Sequence, residues 1–589
     1  MIIKALSFVS ILLPLVVSAA MTWYPAPDWK ESPDPVASPR AKRGGTIRFN
    51  GAQGPKSYNG YIDNNAYTRM TFDLMYDCLI STERDTLEFA PALARRWGIS
   101  DDGRKFEFEL DERAKWSDGR PITAEDVKWT FDSVVSPTND TGVWKTVLGA
   151  FESPVIESPR RFSIRKKGDS PKDWRDLMNC AFFPVLPKHA FNGLDFAKLD
   201  FENAPVSGPY RLSRINEQVS AEFTRAPFWW REGSPSVRGT CNFERIVVKY
   251  YADNENAFEA FKKRAIDVYP VYSARIMVEG TKGESFAKNH ILKRRVRNYR
   301  PIGFQGFALN MRRAPFDDLK VRQAMAKLID RETMNRTMMN GEYFLLKSYY
   351  TDLYDEKNPC PNRLWEYDPK GAAELLAQAG WKRGVDGMLV KDGRKFTFTF
   401  LSRSAGEDKF LALVDHALRE QGIEMKIDRK DFAGWMRDMD SFNFDMTWAA
   451  WGASVFRMPE TMWHSREGKN RGGNNITGFA SPEVDRLIEA EKSMMAQADR
   501  IKAYREIDRL IAAELPYILL WHTDEQRILY WNKFGMPSTV LGRYDYEEGV
   551  LSYWWYDDDR ARELKAAVND AMCLPDVPVK VDFDKAVNK

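Results

Sequence analysis

Two tight turns within one short stretch constrain this chain most, because each turn fixes where a regular element begins. The stretch, Phe89–Asp132, starts with an apolar run that resembles a helix and ends at Trp97. The turn Asp101–Gly103 leads into alternating polar and apolar residues, Lys105–Leu110, which predict a strand. A second Asp-Gly turn precedes Thr123–Asp126, a capping-box pattern that predicts the start of a helix. The pattern therefore predicts a β-hairpin packed against a helix.

Length and charge limit the classes of protein to which the chain can belong. With 589 residues it is too long for one hydrophobic core, so two or three domains are expected. Lys and Arg number 87 and Asp and Glu 84, which leaves a formal net charge of +3. Nucleic-acid binding needs a concentrated positive surface, so this balance predicts no nucleic-acid partner. Aromatic residues make up 13 % of the chain and can both fill a core and line a ligand cleft.

The N-terminus has the pattern of an export signal. Lys4 precedes an apolar run, Ala5–Val17, and small residues suited to cleavage follow it. We therefore expect residues 1–20 to be a signal peptide and the mature protein to be periplasmic. An uncleaved anchor is the alternative, although a membrane span usually needs about 20 apolar residues. Residues 21–43 are rich in proline and charge and predict an extension without a core of its own.

Strand and helix patterns are interspersed along the rest of the chain. Strands are predicted at Gly44–Phe49, Ile246–Tyr251 and Phe396–Leu401. One helix is predicted to begin at Ser481-Pro482, and another to run through Ile501–Ile511. Such interspersion indicates a mixed α/β or α+β architecture.

Catalytic chemistry has little support in the sequence. The five histidines are scattered without metal-ligand spacing, and neither a Gly-x-Ser-x-Gly elbow nor a phosphate-binding glycine loop is present. We therefore predict that the protein is not an enzyme and uses no metal or cofactor. An exported hydrolase based on two carboxylates is the alternative from the enzyme class, and an interaction protein without a closing cleft is another.

The residues of Phe89–Asp132 closely resemble the most recognisable segment of the family 5 extracellular solute-binding proteins, which capture peptides and sometimes nickel or sugars for ABC importers. The resemblance extends from Gly44 to Asp559. It implies a type II-like periplasmic binding protein, with two α/β lobes and an extra domain beside the first lobe. The implied boundaries are 44–65, 201–300 and 521–589 for lobe I, 66–200 for the extra domain and 301–520 for lobe II. It also implies a monomer that closes on its ligand and delivers it to an inner-membrane ABC permease.

The segment Asn443–Ser465 carries the resemblance into the ligand site. Trp448 and Trp451-Gly452-Ala453 resemble the strand and loop that meet the ligand in peptide-binding members. Many of those members have an Asp that pairs with the peptide's α-ammonium, where this chain has Ser454. The resemblance therefore implies a ligand site whose candidates in this segment are Trp448, Trp451, Gly452, Ser454, Trp463 and, as a substitute acid, Glu460.

A second motif, Phe304-Gln305-Gly306-Phe307 followed by Asn310, resembles the subgroup of oligopeptide importers exploited by microcin C-type antibiotics. It implies polar ligand contacts from Gln305 and Asn310. Tyr58 and Asn59, in a polar loop bounded by glycines, are candidates from the first lobe. Oligopeptides or modified peptides are thus the predicted ligand, with an oligosaccharide or a metal chelate as the alternative in the same transporter class.

Overall fold

The computed structural model describes residues 20–51, 54–63, 66–251 and 253–587. The predicted signal peptide, except for Ala20, lies outside these ranges. Within them, no helix is both long enough and apolar enough to cross a membrane.

The strands in chain order are β1 Met21–Tyr24, β2 Thr46–Asn50, β3 Ile80–Thr82, β4 Phe89–Pro91, β5 Ala94–Ser100, β6 Lys105–Leu110, β7 Val155–Ser158, β8 Arg161–Arg165, β9 Tyr210–Asn216, β10 Ser220–Arg225, β11 Arg245–Lys249, β12 Val268–Pro270, β13 Ile291–Arg297, β14 Phe304–Leu309, β15 Phe344–Leu345, β16 Lys382–Arg383, β17 Leu389–Lys391, β18 Arg394–Lys395, β19 Thr397–Ser402, β20 Glu424–Arg429, β21 Met446–Trp451, β22 Tyr517–Leu519, β23 Trp521–His522, β24 Glu525–Trp531, β25 Phe534–Gly535, β26 Trp555–Tyr556 and β27 Lys580–Asp582.

The α-helices are α1 Ala66–Met75, α2 Ala124–Val135, α3 Val143–Gly149, α4 Asp176–Ala181, α5 Lys188–Phe191, α6 Asn254–Lys262, α7 Glu284–Ala287, α8 Leu319–Leu328, α9 Arg331–Met338, α10 Pro369–Gln378, α11 Asp408–Glu420, α12 Phe432–Asp440, α13 Glu460–Trp463, α14 Pro482–Glu491, α15 Gln497–Glu514, α16 Gly549–Tyr553, α17 Asp558–Asn569 and α18 Phe583–Val587.

Three sheets organise the molecule. The large sheet has the order β27-β13-β24-β12-β2-β11-β10-β9, and the second sheet has the order β20-β19-β21-β14-β22. The flanking sheet has the order β1-β5-β6-β8-β7. Parallel and antiparallel pairs are mixed: β2 pairs in parallel with β11 and β12, whereas β14 is antiparallel to both of its neighbours. Ile47 and Phe49 on β2 are fully buried, whereas Thr46 and Arg48 are only partly buried, so one face of this strand lies against a core.

Two chain segments, 298–303 and 520–524, connect the large sheet to the second sheet. The predicted segments of lobe I contain every strand of the large sheet, and the predicted lobe II contains every strand of the second sheet. The exact domain boundaries stay a prediction.

The predicted strand after the first turn lies in the flanking sheet, and the predicted helix follows it in the chain. β6 spans Lys105–Leu110, and α2 begins after Thr123, whose side chain forms a capping box with Asp126. The helix expected up to Trp97 is instead two strands, β4 and β5. Burial does not alternate regularly along β5, because the register of its pairing with β6 shifts between Ala94 and Arg96. The strand is fixed by its pairing with β1 and β6 in the sheet, which a local apolar pattern does not show.

The proline-rich extension also differs from its prediction. Its first residues, Met21–Tyr24, form β1, which pairs antiparallel with β5 at the edge of the flanking sheet. Further along, Asp34 and Val36 are buried, and Asp34 accepts a hydrogen bond from the Tyr553 hydroxyl at 2.8 Å. The extension thus packs into cores formed by other parts of the chain.

Candidate ligand-binding cleft

A cavity of about 820 Å³ lies where the large sheet, the second sheet and α1 meet. Its volume falls within the roughly 300–1,000 Å³ that is usual for small-molecule sites. The side chains around it are Tyr67, Met70, Val271, Tyr272, Arg300, Gln305, Met339, Tyr343, Lys409, Phe410, Trp448, Trp521, His522, Thr523, Glu525, Arg527, Tyr546, Glu547 and Glu548.

One wall of the cavity is aromatic and comes from the second-sheet side. The Trp448 ring lies edge-on to Phe410 at 5.3 Å and to Trp521 at 5.9 Å between ring centroids, which is a favourable aromatic geometry. Trp448 Nε1 donates to Gln305 Oε1 at 3.1 Å, and Gln305 Nε2 donates to the Trp521 carbonyl at 3.0 Å. The Gln305 amide therefore holds the two tryptophans in fixed positions along the wall.

The opposite wall is acidic and comes from the turn that precedes α16. Glu547 is only 6 % exposed, and burial together with the neighbouring Glu548 raises the pKa of its carboxyl to about 7. When the Gln526 amide is oriented to satisfy both neighbours, its nitrogen donates to Glu547 Oε1 at 3.1 Å and its oxygen accepts from Arg300 Nε. The Arg300 guanidinium also lies 5.4 Å from the Tyr546 ring centroid.

The raised pKa of Glu547 predicts a pH-dependent stability. Because the folded protein holds this proton up to pH about 7 and an ordinary glutamate only to 4.5, the free energy of unfolding falls as pH rises between those values. The loss amounts to up to about 3 kcal/mol, at ~1.4 kcal/mol per pKa unit. Urea unfolding at pH 5 and pH 8 should therefore show Glu547→Gln gaining stability relative to the native protein at the higher pH. An equal difference at both pH values would contradict the assignment.

Ion pairs join the large sheet to the loop after α9 at the floor of the cavity. Glu342 lies 2.8 Å from Arg295 and 3.1 Å from Arg527, and Arg295 also contacts Glu525 at 2.5 Å. Arg527 is 2 % exposed in its side chain, so this pairing is shielded from solvent. Lys409 has no ion pair among the described residues, and its Nζ lies 4.9 Å from the Phe410 ring centroid.

Of the residues predicted from sequence, Gln305 and Trp448 line this cavity. Trp451 is half-buried beside it and donates from Nε1 to the Tyr517 hydroxyl at 3.1 Å. Gly452 and Ser454 lie on an exposed loop, where Ser454 Oγ accepts from the Phe456 backbone. This loop meets the acidic wall, because the Tyr546 hydroxyl donates to the Ala453 carbonyl at 3.2 Å.

The other predicted residues do not line the cavity, because their side chains serve the fold. Trp463 is 1 % exposed and packs against Phe304 and Tyr349. Asn310 is fully buried and donates to the carbonyls of Phe442 and Phe444.

Three more predicted positions also lie elsewhere. Asn59 is fully buried and donates to the Phe196 carbonyl, and Tyr58 contacts the Tyr250 hydroxyl at 3.2 Å. Glu460 lies 3.1 Å from Lys492 and also pairs with Arg466. Glu460 therefore belongs to a salt-bridge cluster between α13 and the end of α14, outside the cavity lining.

Several cavity residues have no sequence signal that would single them out. Glu547 and Glu548 lie in a charged run near the C-terminus, and Lys409 lies at the start of an ordinary amphipathic helix. Within the described ranges, no group of three or more His, Cys, Asp or Glu side chains is placed to hold a metal ion.

Comparison with known proteins supplies the family. Residues 88–473 match the family model described as bacterial extracellular solute-binding proteins, family 5, middle region. Over 611 aligned residues the chain is 26 % identical to the "Probable peptide-binding protein YejA" of Agrobacterium fabrum, covering 94 % of this chain and 98 % of that relative. The "Peptidoglycan-binding protein YepA" of the same organism is 28 % identical over 556 residues, covering 86 % and 89 %.

Solved structures show the same fold. The oligopeptide-binding protein AppA from Bacillus subtilis, in complex with a nonapeptide, superposes with a TM-score of 0.67 at 21 % identity and covers 88 % of this chain and all of AppA. This likeness confirms the predicted mixed α/β architecture of a type II periplasmic binding protein. Because the matched region, residues 88–473, is more than half of the chain, the protein belongs to the bacterial extracellular solute-binding proteins of family 5.

Proposed function

We propose that this protein is an exported monomer that captures oligopeptides in the cleft and delivers them to an inner-membrane ABC permease, without catalysing a reaction. The observation that carries the proposal is the cavity of about 820 Å³ between two sheets, aromatic on one wall and charged on the other. A peptide offers apolar side chains, backbone amides and charged ends, which suits such a mixed lining. The names of the relatives YejA and AppA, which refer to peptide and oligopeptide binding, support the same ligand class.

Closure of the two sheets on the ligand would exclude water from the cavity. The large sheet and the second sheet are joined by only the two segments named above within the described residues. Few crossings leave room for a hinge motion in which each half moves as a body.

Native mass spectrometry of protein purified from a periplasm tests the proposal directly. Co-purified ligands should appear as a series of peptide masses, and acid extraction should release them for sequencing. A discrete glycan or a metal complex as the bound species would replace the peptide proposal with the alternative from the same transporter class.

Trp448→Ala should weaken peptide binding about 10- to 100-fold, because a buried aromatic side chain contributes roughly 1.5–3 kcal/mol of apolar contact. Isothermal titration calorimetry measures the change in affinity. Trp448→Phe keeps a ring but loses the hydrogen bond to Gln305, so its affinity should lie between those of the native protein and Trp448→Ala. Trp451→Ala is the matched control, since Trp451 lies on the same strand but outside the cavity lining. Equal losses for Trp448→Ala and Trp451→Ala would move the site toward the loop at Gly452.

A further inference from the structure

The two glutamates of the acidic wall lack ion-pair partners among the described residues. Glu547 lines the cavity and is only 6 % exposed. Neither Glu547 nor Glu548 has an ion pair among the described residues. The Gln526 amide gives Glu547 one hydrogen bond, but one neutral donor only partly replaces the hydration that a buried carboxylate loses. Most carboxylates of comparable burial in this protein do have a cationic partner, for example Asp267, which lies 2.7 Å from Lys533.

The cation nearest to the two carboxylates is already engaged elsewhere. Arg300 donates to the Gln526 oxygen and, at 3.3 Å, to the Thr523 carbonyl, and it stacks on Tyr546. A single guanidinium therefore faces two glutamates, and Asp545 behind them adds a third carboxylate that is opposed by Arg84. Two glutamate carboxyl groups without an ion pair among the described residues thus line the cavity beside one guanidinium, and a cationic group of a ligand would favour their ionised form.

Aromatic rings surround the same wall on the cavity side. Tyr67, Tyr272 and Tyr546 all line the cavity beside the glutamates, and burial, together with the neighbouring Glu548 and Glu547, raises the pKa of Tyr67 to about 12. Tyr272 is 62 % exposed although it lines the site, so its ring is open to a ligand. Aromatic faces attract cations, and ammonium groups are commonly held by such rings together with carboxylates.

From this arrangement we propose that Glu547 and Glu548, with the rings of Tyr67 and Tyr272, form a subsite for a primary ammonium group of the ligand. The inference rests on the proposed function, because it names the part of a peptide that this wall recognises. The group could be the α-ammonium or the ε-ammonium of a lysine, and the two share the same chemistry. The subsite lies beside the loop that carries the uncharged Ser454, as the contact between Tyr546 and Ala453 shows. The anchoring charge therefore comes from the large-sheet side of the cleft.

Three tetrapeptide libraries separate the possible sources of the ammonium group. The first has free amino termini and no lysine, the second is N-acetylated and contains lysine, and the third is N-acetylated and lysine-free. Binding is measured by calorimetry and native mass spectrometry. We expect the native protein to bind the first or the second library at least tenfold more tightly than the third, and the preferred library identifies the amine.

The double variant Glu547→Gln/Glu548→Gln should lose this preference and bind all three libraries with similar affinity. The single variant Glu547→Gln serves if the double variant does not fold, as judged by circular dichroism. Asp524→Asn is the matched control, because Asp524 is also acidic and near the cleft but pairs with Arg297 at 3.0 Å and does not line the cavity. It should keep the full preference.

Two results would overturn the subsite: native protein that binds the acetylated, lysine-free library as tightly as the others, or a glutamine variant that keeps the preference. Either result leaves the proposed function standing, because peptides still bind. Failure of the native protein to bind any of the three libraries would instead count against the proposed function itself.

Discussion

Asp508→Ala should lower the free energy of unfolding by about 4 kcal/mol, because it leaves several buried donors without an acceptor at ~1–3 kcal/mol each. Asp508 lies on α15 with a fully buried side chain. It accepts four hydrogen bonds, at 2.7–2.9 Å, from the side chains of Ser348, Tyr354 and Asn362 and from the Tyr349 backbone. One carboxylate thus fixes the loop after β15 to the helix behind the second sheet.

Urea unfolding followed by tryptophan fluorescence measures this loss. Asp499→Ala is the control on the same helix, since Asp499 is exposed and, among the described residues, forms an ion pair only with Lys502. It should cost less than about 1 kcal/mol, as surface ion pairs usually do. If Asp508→Ala lost no more stability than this control, the carboxylate would not be the organising acceptor of the loop.

The same loop also supports the aromatic wall of the cavity. Tyr349 packs at 5.0 Å from Phe304 and at 4.9 Å from Trp463 between ring centroids, and Phe304 begins the strand that carries Gln305. Loosening the loop would therefore disturb the support beneath the aromatic wall. We expect Asp508→Ala to weaken peptide binding as well, although Asp508 touches no part of the cavity.

Local signals in the sequence predicted the elements that local interactions determine. The capping box at Thr123 and the alternation of Lys105–Leu110 each involve neighbours within a few residues, and both elements form as predicted. The segment ending at Trp97 has apolar residues that suit either a helix or a strand. This segment forms a strand because it pairs with β1, which lies about 75 residues earlier in the sequence. No short sequence pattern contains that information.

The residues predicted from the sequence lie on one wall of the cavity only. Gln305 and Trp448 were accessible to sequence reasoning because they lie in motifs that resemble a family. Trp463 and Asn310 lie in the same motifs, but a motif does not say which face of an element points to a cleft and which to a core. Glu547 and Glu548 enter the site from a segment about 100 residues after Trp448, so only the folded topology brings them together.

A clasp between the flanking sheet and the second-sheet side offers the other large effect. Trp174, in the loop before α4, donates from Nε1 to Glu491 at 2.9 Å, and its backbone nitrogen donates to the Lys492 carbonyl at 2.9 Å. The Arg500 guanidinium lies 4.1 Å from the same ring centroid. Glu491 is fully buried, so the indole hydrogen bond stabilises an otherwise poorly solvated carboxylate.

Trp174→Ala should cost about 3–5 kcal/mol of packing and hydrogen bonding, the usual range for a buried tryptophan. Because Trp174 makes these contacts with residues 491–500 across the junction, the loss should fall mainly on the closed arrangement of the ligand-free protein. Small-angle X-ray scattering should then show a larger radius of gyration without ligand. Peptide affinity should fall, because a smaller closed population lowers the apparent affinity in proportion.

Trp129→Ala is the control for this clasp, since the Trp129 ring lies 6.2 Å from Phe196 on the same side of the junction. It should reduce stability without changing the radius of gyration of the folded protein. The clasp also reaches the loop that carries Ser454: Phe456, two residues after Ser454, lies 6.1 Å from Trp174 between ring centroids. An unchanged scattering profile for Trp174→Ala would contradict the role of this clasp in closure. Glu342→Gln would then test whether the ion pairs at the cavity floor contribute instead.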